Sequence, residues 1–467
     1  MTRARAGLLA AATLLVLVAA RRDTWPGLRG PAPYPPEWQW GYEPKPAPPL
    51  RIAPVIGLAG VLLGLAAMAP RGAAGRGMRT VFLAGCAVAG GGLQLALLGL
   101  EPAGTMTELE QRTTSGSFTS YFKVAAGVED TPDFLSRHDE LLPRFRHGAL
   151  HAATHPPGPI LYYTALLRLA ARAPGAAAAL GGPARAAAIS GAALLGLIGA
   201  LTCFPVSALA RGQGAPPTTA VRAGVLWTLV PGLCLMVPEL DQAMALPVAA
   251  AAALAGSALT PEGERPGLVA RAAGVGLLTG AAVFFSYGAP LLIALGVAAA
   301  GAASLGTTAG RRRAALFGAV AFAVALVGFL FPVLFGHDPL ASARAALAIH
   351  REQFTAHRSY PLWLVFDLVD LTLFLGVPVL LFGLSRPRTP FRIAAAGGVI
   401  LLVASGLIRG EMGRILLPLM PVLLVACVVS PPGLDAPEGE PSAFTALVLG
   451  ILLIATDVVL RLSWELP

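Results

Sequence analysis

The sequence predicts an all-α, polytopic membrane protein of about 13 transmembrane helices. Three observations lead there. Of 467 residues, 55% are apolar and only 13% charged, half the ~25% of a soluble domain. Mean hydropathy is +0.70. Apolar runs close to the ~20 residues that cross a bilayer recur along the whole chain.

Residues 6–20, behind Met-Thr-Arg-Ala-Arg, read as a first anchor helix, a cleaved signal ending near residue 20 being the alternative. Further spans are expected near 52–69, 79–99, 184–209, 220–237, 240–258, 270–287, 289–306, 314–335, 361–384, 391–408, 415–431 and 443–461. The first two, within residues 1–78, form an N-terminal addition to a transmembrane domain over 79–467. Between them, the Pro-rich stretch 31–49 reads as an extended outer loop that rests Trp38, Trp40 and Tyr42 at the bilayer interface. The stretch 431–441 reads as a polar, acidic inner connector.

Orientation follows from arginine, because cytoplasmic loops retain Arg and Lys. The groups are Arg71, Arg76 and Arg79; Arg211 and Arg222; Arg265 and Arg271; Arg311, Arg312 and Arg313; and Arg386, Arg388 and Arg392. A single threading puts all five inside, provided that residues 158–172 lie along the outer surface as an interfacial helix. Tyr162 and Tyr163 suit the headgroup belt there, and Arg168 and Arg172 can snorkel. A short spanning helix at 158–172 would reverse everything upstream.

The net charge of +9 is spread over short connectors instead of one amphipathic face, so no nucleic acid is expected as partner. The four cysteines, Cys86, Cys203, Cys234 and Cys427, lie in apolar segments, where a thiol behaves as a small hydrophobe. The threading leaves two long polar segments outside, 101–157 and 336–360. All seven histidines, His138, His147, His151, His155, His337, His350 and His357, fall within them. Histidine's avoidance of lipid accounts for this pattern, and so do two loops folded over one cavity.

Several short constellations carry chemical potential. Thr154-His155-Pro156-Pro157-Gly158-Pro159 fixes a rigid turn with a histidine at the membrane surface, although prolines that merely separate two helices leave the same trace. Glu239 and Asp241 place two carboxylates at the mouth of the bundle, able to act as base, bind a divalent cation or cap the next helix. Arg409, Glu411 and Arg414 occupy another outer turn, where guanidinium matches phosphate in geometry and charge, or where an Arg–Glu pair simply pins the turn. Tyr287 closes the junction Phe284-Phe285-Ser286-Tyr287-Gly288. Asp367 and Asp370 stand one turn apart on an expected span, facing the bundle interior or bonding neighbouring helices. His147, His151 and His155 are spaced for one helix face and a metal, but the prolines break that face at His155.

Taken in order, these motifs resemble the GT-C superfamily of membrane glycosyltransferases, which includes protein O-mannosyltransferases and aminoarabinose–lipid A transferases. The resemblance covers residues 79–431: a first outer loop ending in His155-Pro156-Pro157, a surface helix over 158–172, the outer acid Asp241, and the late turn Arg414-Ile415-Leu416-Leu417-Pro418. It implies a polyprenyl-phosphate-linked sugar donor admitted laterally from the bilayer, an unknown extracytoplasmic acceptor, and a site in a bacterial inner (plasma) membrane. Under it Asp241, Glu101 and His155 are the catalytic candidates. Arg414, Arg409, Glu411, Tyr287 and Glu239 are the substrate-binding ones, and a divalent cation is the one cofactor the acids suggest. The family's acid before a Tyr-rich helix has no counterpart in Ser117-Phe118-Thr119-Ser120-Tyr121-Phe122-Lys123; Glu101, Glu108 or Glu110 earlier in the loop, or Asp139 and Glu140 after it, are the acids that could substitute for it. A transporter or flippase for a lipid-linked saccharide, or a non-catalytic relative, is the rival reading.

Overall fold

A computed structural model describes residues 1–70, 75–116, 118–259, 267–429 and 442–466. The connector 431–441, Arg71 and Arg265 lie outside the described residues. The protein is 76% helical, as a chain short of water must be, since a helix satisfies its own backbone within the bilayer. Among the described residues nine helices are long and apolar enough to cross a membrane: Arg3–Arg22, Pro49–Ala67, Arg76–Leu98, Pro183–Gly212, Pro217–Leu235, Leu240–Ala258, Ala289–Gly306, Thr308–Phe335 and Ala443–Arg461. The pair Tyr360–Leu375 and Val377–Leu384, bent by 103° at Gly376, whose φ of +99° suits glycine, makes ten if it is counted as one span, a broken span and a re-entrant loop sharing this geometry. The other expected spans fall on shorter apolar helices, Leu268–Val283, Pro390–Ala404 and Leu417–Val428.

Burial grades these helices. Pro217–Leu235 is the axis, with 94% of its apolar window buried, whereas Thr308–Phe335 has 6% and turns its Phe, Val and Leu side chains outward. The latter packs along Leu268–Val283 through glycine: a Cβ on Gly280 would stand 2.9 Å from the Gly328 Cα. Small residues of this kind let helix backbones approach where no hydrophobic effect drives association.

Helix ends gather on two faces. On one, Thr218 Oγ1 donates to the Pro70 carbonyl at 2.8 Å, Arg222 Nε to Ala66 at 3.1 Å and Arg313 Nη2 to Ala258 at 2.8 Å. Arginine on this side thus closes the last carbonyls of neighbouring helices. On the other face the ends of Arg76–Leu98 and Ala443–Arg461 meet the first polar segment, Thr105 Oγ1 donating to the Leu95 carbonyl at 3.1 Å and Arg461 Nη1 pairing with Glu101 Oε1 at 3.2 Å. Arg21 Nη1 donates to the Leu462 carbonyl at 2.6 Å, and two-residue strands pair antiparallel, Gly41 opposite Glu465 and Tyr42 opposite Trp464.

Two expectations for connecting segments meet different outcomes. Gly158–Arg172 forms a helix with the expected bounds and is not among the apolar helices able to span. Its Arg168 reaches Thr131 Oγ1 and the Glu129 carbonyl, both at 2.9 Å. The Pro-rich stretch requires a correction: Trp40 does not rest at the bilayer interface but is 5% exposed inside the protein, because its indole N–H finds a buried carboxylate on Asp370 at 2.9 Å.

Candidate functional site

The turn before Leu417–Val428 carries the centre of the site. Gly410 adopts φ +108° and Glu411, with φ +55°, sits in the left-handed region that costs a non-glycine residue about 1–2 kcal/mol. The chain then enters the short helix Met412–Ile415, which turns Arg414 back toward Glu411. Arg414 Nη2 pairs with Glu411 Oε2 at 2.8 Å, while Glu239 Oε1 stands 3.6 Å from Nη1 and Asp241 Oδ2 3.8 Å from Nε. Only the Glu411 contact is a hydrogen bond by distance. Glu239 is the N-cap residue of Leu240–Ala258 yet makes no side-chain capping bond; both acids are turned to the guanidinium.

Arg414 is mostly buried, 13% exposed in its side chain, and its Nε has no hydrogen-bond partner within the protein. Burial works to discharge it, but Glu411, Glu239 and Asp241 outweigh that and hold it firmly cationic. Burial is also the main influence on Glu239, whose carboxyl is pushed up to about 7, Arg414 opposing and Asp241 and Glu411 reinforcing.

Both polar segments close over this group. From the first, His151 Nε2 lies 3.5 Å from Arg414 Nη1 and so serves as acceptor with its proton on Nδ1. His155 Nδ1 donates to the His151 carbonyl at 2.8 Å, and its ring meets Tyr121 edge-on at 5.3 Å. From the second, Phe354 stacks on His151 at 6.4 Å and His350 lies 5.2 Å from Phe354. Burial, then the Arg414 charge for His151 and the His151 ring for His155, pushes both imidazoles down to about 3. They are neutral at physiological pH. The Tyr121 hydroxyl is raised by burial and by the Glu239 and Asp241 charges.

The remaining expected residues are placed elsewhere. Glu101 is not brought to Arg414: Lys45 Nζ at 2.8 Å, Arg461 Nη1 at 3.2 Å and Arg112 Nη2 at 3.3 Å take up its carboxylate. Burial favours its neutral form, yet Arg461 and Lys45 hold its pKa below the usual carboxylate range. Arg409 donates through Nη1 to the Thr355 and Arg358 carbonyls at 2.8 and 2.7 Å and stacks 5.5 Å over Tyr360, pinning the turn to the second polar segment, and its Nε, like that of Arg414, has no hydrogen-bond partner within the protein. Tyr287 lies in a small open cleft lined by Pro156, Pro157, Phe284 and His337. There the proline turn docks: the Gly158 amide donates to the Phe284 carbonyl at 2.9 Å, and a Cβ on Gly158 would stand 2.2 Å from that oxygen.

His147 is exposed, apart from this group, and among the described residues no three His, Cys, Asp or Glu side chains are grouped to hold a metal ion. Sequence reasoning singled out Glu239, Asp241, Glu411, Arg414 and His155, took His151 and His350 only within the seven histidines that two loops could fold over one cavity (His151 also as a metal ligand), and gave Tyr121 and Phe354 no role. The concentration of histidine in two segments was the available signal for the histidines. Compared with known protein families, curated proteins and solved structures, the chain matches none.

Proposed function

We propose that the protein is a membrane glycosyltransferase of GT-C-like architecture, moving a sugar from a polyprenyl-phosphate-linked donor to an acceptor on the face that carries the histidines. The observation that carries this reading is a buried guanidinium whose Nε has no hydrogen-bond partner, beside two carboxylates that face it beyond hydrogen-bond distance. A buried donor without a partner is costly, and a phosphate oxygen satisfies it. Arg414 holds the phosphate leaving group. Glu411 orients it. Asp241 takes the proton of the acceptor hydroxyl as that oxygen attacks the anomeric carbon and the C–O bond to phosphate breaks.

Three carboxylates around one arginine would repel a phosphate were all ionised. Glu239, with a pKa of about 7, can enter the site uncharged and lower that repulsion. His155, neutral and fixed through Nδ1 by the His151 carbonyl, is assigned to shaping the site and contacting the acceptor. In this reading the helices too short to span alone complete a bundle of about 13 crossings with their connecting turns, in a bacterial inner membrane.

The test is transfer by the purified protein in vesicles, supplied with radiolabelled polyprenyl-phosphate sugars and membrane-extract acceptors. Incorporation into a new covalent product, lost in Asp241→Ala and Arg414→Ala, is expected. Movement of label across the vesicle without a product would replace this reading with transport.

A further inference from the structure

We propose that Trp40 and Asp370 are positioning residues for Arg414, so that the N-terminal strap 23–48 is a working part of the site. The inference rests on Arg414 as the phosphate ligand. Asp370, 6% exposed on Tyr360–Leu375, accepts the Gly413 amide on Oδ2 at 2.6 Å and the Trp40 indole N–H on Oδ1 at 2.9 Å. Gly413 immediately precedes Arg414. It has no room for a side chain, since a Cβ there would stand 2.2 Å from Phe374 Cδ2, and Phe374 is in turn packed 5.5 Å from the Trp40 ring. The backbone that launches Arg414 is thus pressed onto a surface that Trp40 supports from behind.

The same helix and strap meet a second time. Glu37 accepts the Trp363 indole N–H at 2.7 Å and the Ser359 amide at 2.9 Å, and Asp367 Oδ1 accepts the Gly410 amide at 3.0 Å. Two acids one turn apart on Tyr360–Leu375 therefore hold both ends of the turn 410–413, and two strap residues hold the helix that bears those acids. A carboxylate with one N–H donor on each oxygen is balanced. Without the indole, Oδ1 is a buried anionic acceptor with nothing to accept from. Asp370 then rotates or takes up a proton, and either change weakens its hold on Gly413. Small displacements of a charge-neutralising group are expensive in rate, although Trp40 itself touches no reacting atom.

Hydrogen–deuterium exchange of the full-length protein in lipid nanodiscs reads this directly. Trp40→Phe keeps the aromatic body and deletes the N–H. Exchange at peptide 410–416 is expected to rise about tenfold, the factor of one hydrogen bond, and to rise likewise in Asp370→Asn, where one oxygen remains for two donors. Trp25→Phe, at a position 58% exposed, leaves that peptide unchanged. Unaltered exchange at 410–416 in Trp40→Phe overturns the proposal. In the transfer assay Trp40→Phe is expected to raise the donor KM about tenfold with the acceptor KM constant; an unchanged donor KM overturns it equally. A wild-type protein that transfers nothing removes the glycosyltransferase reading, while the exchange result still decides whether Trp40 and Asp370 hold the turn.

Discussion

At Arg414 a single guanidinium meets three acids and the neutral imidazole of His151, and the spacing assigns them different work. Glu411 is bonded at 2.8 Å; Glu239 and Asp241, at 3.6 and 3.8 Å, face the arginine without spending it. Lysine at this position would keep the charge and lose the Nε donor and the planar fork, so Arg414→Lys is expected to weaken donor use roughly tenfold or more; donor KM in the transfer assay checks it. Glu239 gives a pH dependence of definite sign. With its carboxyl near 7, the anion dominates at pH 8 and the neutral acid at pH 6. Binding a phosphodiester, which does not titrate in this range, favours the neutral acid. Donor affinity, read by equilibrium binding, should therefore tighten by up to about tenfold between pH 8 and 6. Glu239→Gln should bind at pH 8 as the wild type does at pH 6, and pH-independent binding by the wild type would contradict this role. Most of the cluster was legible as short polar motifs at helix junctions. Tyr121 was not, because its part depends on a tertiary approach to Glu239 and Asp241 that no local pattern encodes.

Among elements, the two polar segments are joined by buried histidines. His138 of the first and His337 of the second stand ring to ring at 5.4 Å, with Ser342 Oγ 3.1 Å from His138 Nδ1 and the Leu135 carbonyl 3.1 Å from His337 Nδ1. Burial, helped by His337, pushes His138 down to about 3, in line with His151 and His155. Between pH 6.5 and 3 the unfolded chain binds protons these three sites refuse, so their contribution to stability is complete above 6.5 and is lost as pH falls. Glu239 runs the opposite way, gaining as pH falls from 7 toward 4.5, so the histidine contribution is read by comparison with a variant. The drop in Tm from pH 7 to pH 5 in detergent is expected to be smaller, or the rise larger, in His138→Gln than in the wild type, and an identical pH response of the two contradicts the assignment. Element boundaries were legible where composition changes sharply, as at Gly158–Arg172. They were not where a partner decides them. The run 361–384 reads as one span yet breaks at Gly376, and the span expected to reach 287 stops at Val283, beside the Phe284 carbonyl that the Gly158 amide occupies.

For the whole molecule, the chain ends are structural. Glu101 gathers Lys45 from the strap, Arg112 from the first polar segment and Arg461 from the last helix in one buried charge group. Removing one partner of a buried pair costs about 3–5 kcal/mol, so Lys45→Met should lower Tm by several degrees or prevent folding, as followed by thermal size-exclusion chromatography; an unchanged Tm would mean the clasp is idle. The chain's membrane class was readable from composition alone, but the strap's inward turn was not. Aromatic residues in a Pro-rich loop suit a bilayer interface, and only the position of Asp370 across the fold draws Trp40 inward. What unites the three scales is the buried guanidinium of Arg414, on the face where the histidines lie, which we propose holds a lipid-linked phosphate. The most direct measurement is a cryo-EM structure in nanodiscs loaded with polyprenyl phosphate. Phosphate density within hydrogen-bond distance of Arg414 Nε, facing Asp241, is the predicted result; phosphate bound on the opposite, arginine-lined face, with Arg414 unchanged, would contradict it.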